Sequence, residues 1–503
     1  MPETPPTKPK KFPLPLLIAM VVGSMVGAGV FSLPHRFAEA GGVLSTIIAW
    51  IIAGGGMLTL ALVFKNLANR KPDIDAGVFA YAKAGFGNYP GFLSAFGYWA
   101  SACVGNVFYW ILIMATLSMF FPSLGQGNTL IAVAISSVMI WLFHFLVSKG
   151  VKEAASINKI VTIAKVIPLI LFLIIVAFAF KPEIFSANFI GSDTVSIPEV
   201  YEQVKATMLL TVFVFLGIEG ASVYSRYAKK RQDVGRSTVI GFLLVLALFA
   251  AVTILSFGIL SRADLARLSD PSVGSVLEAV VGRWGAIFIG VGLIVSVLGA
   301  YLAWTLMAAE VLYQAAKNED MPKFLTHQNS KGVPSRALLL STLMIQLVLA
   351  LTLFSYDALT LALTLCATLS LLPYLLSGAY ALKLTITKET YSQNKSTLKK
   401  DMIIGAIATV YGIFLFYATG AELLLLSCII YLPGTILYII ARRERKLKVF
   451  NLFEKFLFAV IAAAAIFGTV YLVSDGLNPP IEDISESAEY LQQIETEKYL
   501  KEN

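Results

Sequence analysis

Residues 12–35 read FPLPLLIAMVVGSMVGAGVFSLPH, and they contain no Asp, Glu, Lys or Arg. An apolar helix needs about 20 residues to cross the hydrocarbon core of a bilayer, so this stretch is long enough for one crossing. Three glycines, Gly23, Gly27 and Gly29, lie close together near its centre. Because glycine weakens a helix, the stretch predicts a membrane-spanning helix that unwinds at mid-bilayer.

The rest of the chain repeats this apolar pattern. The chain has 503 residues, of which 57% are hydrophobic and 14% are charged, whereas a soluble protein carries about a quarter charged residues. This composition excludes an ordinary cytosolic enzyme and predicts an all-α, multi-pass membrane protein. The other long runs without acidic or basic side chains are residues 40–64, 84–148, 237–261, 284–309, 337–356 and 358–382.

One helix for each apolar stretch gives thirteen predicted spans. If the N-terminal tail 1–12 is cytoplasmic, the loops on that side hold 30 of the 39 Lys and Arg residues, and the opposite side holds eight. Because basic loops stay in the cytoplasm, this asymmetry predicts the orientation in a cell (inner) membrane. An odd number of spans then makes the acidic tail 475–503 extracytoplasmic. The spans lie near residues 13–34, 42–64, 91–121, 129–148, 160–180, 206–225, 237–260, 284–316, 337–355, 358–382, 402–420, 422–441 and 456–474.

A second interrupted helix is predicted in the sixth span, where residues 215–222 read FLGIEGAS. Unwound backbone at membrane depth is tolerated where protein or substrate satisfies its polar groups, and half-helix N-termini attract carboxylates. The two interruptions are five spans apart, as expected for inverted repeats of about 13–180 and 206–382. Glycines also permit close helix packing, but the corresponding positions of the two interruptions favour substrate binding.

Other chemistry leaves few signals in the sequence. The three cysteines, Cys103, Cys366 and Cys428, lie far apart in apolar stretches, so neither a disulfide framework nor a metal site is expected. No GxxxxGK[ST] loop is present to bind phosphates. With three histidines and no convincing nucleophile motif, the sequence predicts no enzyme and no cofactor.

The chain resembles the amino acid–polyamine–organocation superfamily, in its basic amino acid antiporter branch, over roughly residues 14–475. This resemblance implies a ten-helix transport core over 13–382, followed by accessory helices over 402–474. The stretch from Asn66 to Val78 resembles arginine/ornithine antiporters in particular. The other motifs that carry the likeness are Gly27-Ala28-Gly29-Val30-Phe31 with Leu33-Pro34, Gly217-Ile218-Glu219-Gly220-Ala221-Ser222 and Pro373-Tyr374.

The resemblance implies that the interrupted helices bind the amino acid backbone of a substrate. By analogy, the main chain around Ala28 and Gly29 takes the carboxylate, and the carbonyls near Met25 and Leu216 take the α-ammonium group. Ala28 stands where many relatives have serine, although contacts through the main chain would survive that change.

The resemblance also assigns four side chains of the site, two of them to the cationic end of the substrate. Trp304 would lie over the cation, in a contact worth about 2 kcal/mol, and Asn106 would hydrogen-bond a guanidinium group. Asn106 could instead join two helices. Tyr98 matches an aromatic gate, and Phe213 stands where close arginine/agmatine relatives carry tryptophan.

Ionisable side chains within apolar spans are candidates for function because charge is costly there. Glu219 lies beside the second interruption, and the resemblance gives it a role in gating and pH sensing. Lys165 would fill the space of the sodium ion of sodium-coupled relatives and brace the first broken helix; snorkelling to the interface is the alternative. Tyr374 matches a second aromatic gate.

These features predict a secondary active transporter that exchanges cationic amino acids by alternating access, with arginine for ornithine as the leading hypothesis. The alternatives are arginine/agmatine exchange, proton-coupled uptake of a basic amino acid such as lysine, and a non-transporting sensor or channel. The expected partners are these small molecules and the lipid bilayer, with a homodimer as one arrangement and no nucleic acid.

Overall fold

The computed structural model describes residues 13–72, 74, 78–150, 154–190, 196–218, 231–355, 357–391 and 396–475. Within these ranges the chain is helical and contains no strand, which confirms the all-α class. The helices are α1 (Leu14–Met25), α2 (Leu33–Ala40), α3 (Val43–Arg70), α4 (Val78–Phe86), α5 (Asn88–Leu117), α6 (Leu130–Ser148), α7 (Ala154–Ala179), α8 (Pro182–Ala187), α9 (Ile197–Phe215), α10 (Arg231–Ser256), α11 (Arg262–Ala266), α12 (Ser272–Val281), α13 (Arg283–Lys317), α14 (Ser335–Leu351), α15 (Ala358–Thr387), α16 (Leu398–Glu444) and α17 (Leu452–Asp475).

Many of these helices can cross a membrane. Across the described residues, nine are long and apolar enough for a crossing, and α1 with the segment Gly29–Ala40 forms a tenth candidate that is bent by 48°. Helix α16 extends over 47 residues, but Gly420 inside it has a φ of 78°. The predicted spans 402–420 and 422–441 therefore form one helix pair joined at this glycine. The short helices α4, α8, α11 and α12 were not predicted from the sequence.

The first span is interrupted, as the sequence predicts. Helix α1 ends at Met25, and a short 3₁₀ helix (Gly29–Ser32) leads into α2. Pro34 lies in the first turn of α2, where its missing N–H group costs no hydrogen bond. The break thus lies between two helices, α1 and α2. Each has a proline in its first turn, Pro15 in α1 and Pro34 in α2.

The second interruption begins where α9 ends. Leu216 caps the helix with a ψ of 133°, and Gly217 follows with a φ of 100°, which favours glycine. The carbonyl of Gly217 accepts a hydrogen bond of 2.9 Å from the Ser24 hydroxyl, so the two interruptions touch. The remainder of the sixth predicted span, from Glu219 onward, lies outside the described residues.

Helix α5 forms the centre of the protein. It is buried along almost its whole length and packs against α13, α14 and α15. Two of its polar side chains bond to neighbouring helices: the Trp99 indole donates to the Ser341 hydroxyl at 2.8 Å, and the Ser101 hydroxyl donates to the Cys366 carbonyl at 2.7 Å. This buried helix forms a fixed wall beside the two interruptions.

Candidate functional site

A small cavity lies at the place where the two interrupted helices meet α5, α13 and α15. Its volume is about 30 Å³, room for about two water molecules. Six of the eight residues predicted to contact substrate line it: Met25, Ala28, Gly29, Phe213, Leu216 and Trp304. The structure therefore brings together side chains and backbone that are up to 279 positions apart in the sequence.

The interrupted backbone supplies hydrogen-bond donors beside the cavity. The N–H groups of Gly27, Ala28 and Gly29 donate no backbone hydrogen bond to any described residue, because α1 has ended and the 3₁₀ helix is only starting. A Cβ atom at Gly29 would lie 2.8 Å from the Phe213 ring. Glycine at this position therefore allows α9 to approach the break closely.

Aromatic rings lie in the lining of the cavity and beside it. Trp304 on α13 is half-buried there, and the ring centroid of Tyr98 lies 6.3 Å from it. The hydroxyl of Tyr98 is 3.3 Å from the sulfur of Met307. Phe213 packs edge-on against Phe108, with 4.8 Å between ring centroids. Aromatic rings close to backbone donors suit a ligand that carries both a carboxylate and a cation.

Asn106 and Tyr98 do not belong to the cavity lining, although both lie on α5 beside it. The amide nitrogen of Asn106 donates to the Thr305 hydroxyl at 3.4 Å, which joins α5 to α13. Its amide oxygen is buried and accepts no hydrogen bond from a described residue. Because an unpaired buried acceptor is costly, this oxygen is a candidate to receive a donor from a ligand.

The sequence did not predict several residues that line the cavity. Tyr109 is one helical turn beyond Asn106 on α5, so the 3.6-residue period could have indicated it. Cys366 could not have been found this way, since it reaches the cavity through packing of α15 on α5. The other lining residues that were missed are Ser24, Gly27, Ser101, Ala102, Gly105 and Val214.

Lys165 on α7 lies beside the first interruption. Its side chain is buried, and its ammonium donates to the Gly23 carbonyl at 3.0 Å, within the last turn of α1. Tyr374 on α15 is also buried, with its ring 5.9 Å from that of Phe64, and it does not line the cavity. The predicted position of Glu219 lies outside the described residues.

A larger cavity of about 490 Å³ lies next to α2, and charged side chains form part of its lining. Arg36 on α2 donates to the Asp270 carboxylate at 3.0 Å and to the Thr360 hydroxyl at 2.5 Å. Both charged side chains are buried. Arg36 follows Gly29 by seven residues, or roughly 10 Å of helix. The ion pair therefore ties the second piece of the broken span to the loop before α12, and the hydrogen bond to Thr360 ties it to the start of α15.

A second ion pair, in which only the carboxylate is buried, lies beyond the last residue of α13. The ammonium of Lys83 on α4 is 2.8 Å from the Asp320 carboxylate, which follows α13, and it donates to the Asn318 carbonyl at 2.6 Å. Burial raises the pKa of Asp320 to about 6, although the positive charge of Lys83 opposes the shift. Asp320 thus titrates close to neutral pH.

The fold and the cavity define a class: a multi-pass helical membrane protein with a small internal site between two interrupted helices. The chain belongs to the amino acid permease family, whose sequence profile matches residues 14–441. That match covers the two interrupted spans and every residue that lines the cavity.

Individual relatives are similar over nearly the whole chain. An arginine/ornithine antiporter of Pseudomonas aeruginosa is 47% identical over 473 residues, which cover 93% of this chain and 98% of that protein. An L-lysine transport protein of Corynebacterium glutamicum is 40% identical, with 92% and 95% covered. An arginine/agmatine antiporter of Chlamydia pneumoniae is 40% identical, with 86% and 90% covered.

Proposed function

We propose that this protein is a secondary transporter that exchanges cationic amino acids across a cell (inner) membrane, with arginine entering and ornithine leaving. The observation that carries the proposal is the cavity between the two interrupted helices, whose lining includes both the broken backbone around Ala28 and Gly29 and the Trp304 ring. The similarity to the arginine/ornithine antiporter supports the choice of substrates.

In this proposal, each part of the substrate has its own partner. The N–H groups near Ala28 and Gly29 bind the carboxylate, because the positive ends of half-helices favour anions. The carbonyls near Met25 and Leu216 bind the α-ammonium group. Trp304 covers the cationic side chain, and the amide oxygen of Asn106, which has no partner among the described residues, accepts a hydrogen bond from it.

Transport requires the cavity to open, since a volume of about 30 Å³ is too small for an amino acid. We propose that the ion pair between Arg36 and Asp270 closes the outer side, while Tyr98 and Tyr374 act as aromatic gates. Lys165 holds the inner piece of the first span through the Gly23 carbonyl. Alternating access then moves these contacts around a binding site near mid-bilayer.

The proposed topology has thirteen spans, with the first ten arranged as two inverted repeats and the N-terminus in the cytoplasm. Its support is that every proposed span overlaps a described helix, with α1 and α2 sharing the first span and α16 supplying two. The ends of α1 and α9 occupy corresponding places in the two repeats and touch through Ser24 and Gly217. The distribution of Lys and Arg supports the orientation.

A panel of counter-substrates tests the exchanged pair. Purified protein in liposomes is loaded with ornithine, agmatine, lysine or buffer, and uptake of labelled arginine is measured. The proposal predicts the fastest uptake with internal ornithine and almost none with buffer. Agmatine dominance would favour the arginine/agmatine alternative, which the Chlamydia relative supports. Equal uptake into buffer-loaded vesicles under a proton gradient would replace exchange with proton-coupled uptake.

A further inference from the structure

The stretch that begins at Asn66, which resembles arginine/ornithine antiporters, includes the end of α3. None of its described residues lines the cavity. Arg70 at the end of α3 donates to the Asp401 carboxylate at 2.9 Å and to the Thr390 carbonyl at 3.0 Å. Its guanidinium also stacks 3.5 Å from the ring centroid of Tyr391. Asn66, one turn earlier, accepts from Arg70 at 2.8 Å. These contacts fix the end of α3 against the start of α16.

A groove of about 410 Å³ lies beside this network, between the ends of α3 and α16. Lys65 and Lys400 both line it, and both side chains are exposed. Neither makes a hydrogen bond or an ion pair with a described residue. The amides of Asn66 and Asn69 complete the polar lining. Since Asp401 balances Arg70, the two lysines leave the lining of the groove, as far as the described residues form it, with an excess of two positive charges.

Lys65 is held in place by its neighbour helix. Its side chain crosses α10 at Gly235, where a Cβ atom would lie 2.6 Å from Cδ of Lys65. The small residue therefore lets the aliphatic stem of Lys65, which lines the groove, lie against α10. A lysine whose stem is packed loses less conformational freedom when its head group binds an anion.

An apolar stripe continues from the groove along α16. Ile403, Ile407 and Val410 are all exposed, and they follow Lys400 at spacings of three, four and three residues. This helical period places them on one face below the lysine. In a membrane protein, an exposed apolar helix face contacts acyl chains, so a ligand with a charged head and apolar tails would match both parts of this surface.

We propose that this groove binds one anionic phospholipid, with its phosphate between Lys65 and Lys400 and an acyl chain along the exposed face of α16. Basic pockets between membrane helices at the head-group level suit such lipids. The proposed orientation places the groove on the cytoplasmic side. The groove shares no residue with the transport cavity, so the lipid site stands independently of the exchanged substrates.

Native mass spectrometry of the full-length protein in neutral detergent measures this binding. The protein is titrated with dioleoylphosphatidylglycerol and, separately, with dioleoylphosphatidylcholine. The double variant Lys65→Gln/Lys400→Gln is compared with a matched pair, Lys399→Gln/Lys331→Gln, which removes two other exposed lysines without touching the groove. A lysine near an anionic surface strengthens binding by about fivefold.

We expect one phosphatidylglycerol to bind more tightly than phosphatidylcholine. Its affinity should fall about 25-fold in the variant Lys65→Gln/Lys400→Gln. The matched pair should bind it as the unaltered protein does, and Lys65→Arg/Lys400→Arg should retain most of the affinity. Equal weakening in both glutamine pairs, or equal binding of the two lipids, would overturn the proposal. Displacement of the lipid by millimolar inorganic phosphate alone would also overturn it, because the acyl chain would then contribute nothing.

Discussion

The substitution Gly217→Ala tests whether contact between the two interruptions is needed for exchange. The φ of 100° at this residue suits glycine, and an alanine there costs about 1–3 kcal/mol in backbone strain. The new Cβ atom would also lie 2.7 Å from the carbonyl oxygen of Ser24 and 2.9 Å from its carbonyl carbon. Because these are backbone atoms, the two helix ends must separate, which costs about a further 1–3 kcal/mol.

Together these two costs raise the free energy of the state in which the helix ends touch by about 2–6 kcal/mol. The population of that state then falls by at least about 30-fold. We therefore expect arginine exchange in proteoliposomes to fall by at least about this factor, while the purified protein stays monodisperse. Ser24→Ala removes the hydrogen bond to Gly217 without adding an atom, and should lower exchange in the same direction by about fivefold.

Two other glycines provide controls for this prediction. Gly55 lies in α3 and Gly420 at the bend in α16, and a Cβ atom at either would meet no atom within 4 Å. Gly420→Ala carries backbone strain without the clash, since its φ is 78°, so it should lower the melting temperature and preserve exchange. Gly55→Ala should leave both unchanged. Exchange at the unaltered rate in Gly217→Ala would refute the reasoning, as would an equal loss in Gly420→Ala.

Three further predictions concern side chains. Trp304→Leu should weaken arginine binding about 30-fold by calorimetry, from a lost cation–π contact worth about 2 kcal/mol, with Trp304→Phe intermediate; unchanged affinity would remove Trp304 from the site. Lys165→Met, which breaks the contact with Gly23, should slow exchange about tenfold or more, with Lys165→Arg milder; normal exchange would contradict the bracing role. The pKa of Asp320 is raised to about 6 in the folded protein, so the folded state holds this proton more tightly, and stability should fall by up to about 3 kcal/mol as pH rises from 4 to 6. Melting temperatures of Asp320→Asn should lack that part of the decline, and identical pH profiles for the two proteins would show the assignment to be wrong.

The sequence predicted what depends on local pattern. Apolar runs indicated the helices, and closely spaced glycines indicated the break after Met25 and the irregular backbone at Gly217. The resemblance to a known family supplied six of the fourteen residues that line the cavity, including Trp304. Local pattern suffices here because a bilayer permits little besides helices, and each break must then be matched by a partner or a ligand.

The remaining features depend on packing between distant segments. Cys366 lines the cavity because α15 packs on α5, and no pattern near residue 366 encodes that contact. The hydrogen bond between Ser24 and Gly217 joins residues 193 positions apart. Similarly, Arg70 was recognised as part of a motif, but its contacts with the start of α16 required the fold.

One-for-one exchange at this cavity is the central claim, and a double-label flux measurement tests it directly. Liposomes containing the protein are loaded with tritiated ornithine and placed in carbon-14 arginine, and both labels are followed together. The account predicts that one ornithine leaves for each arginine that enters, and that Trp304→Leu slows both fluxes equally. Arginine entry without ornithine exit, or ornithine exit without external arginine, would contradict it.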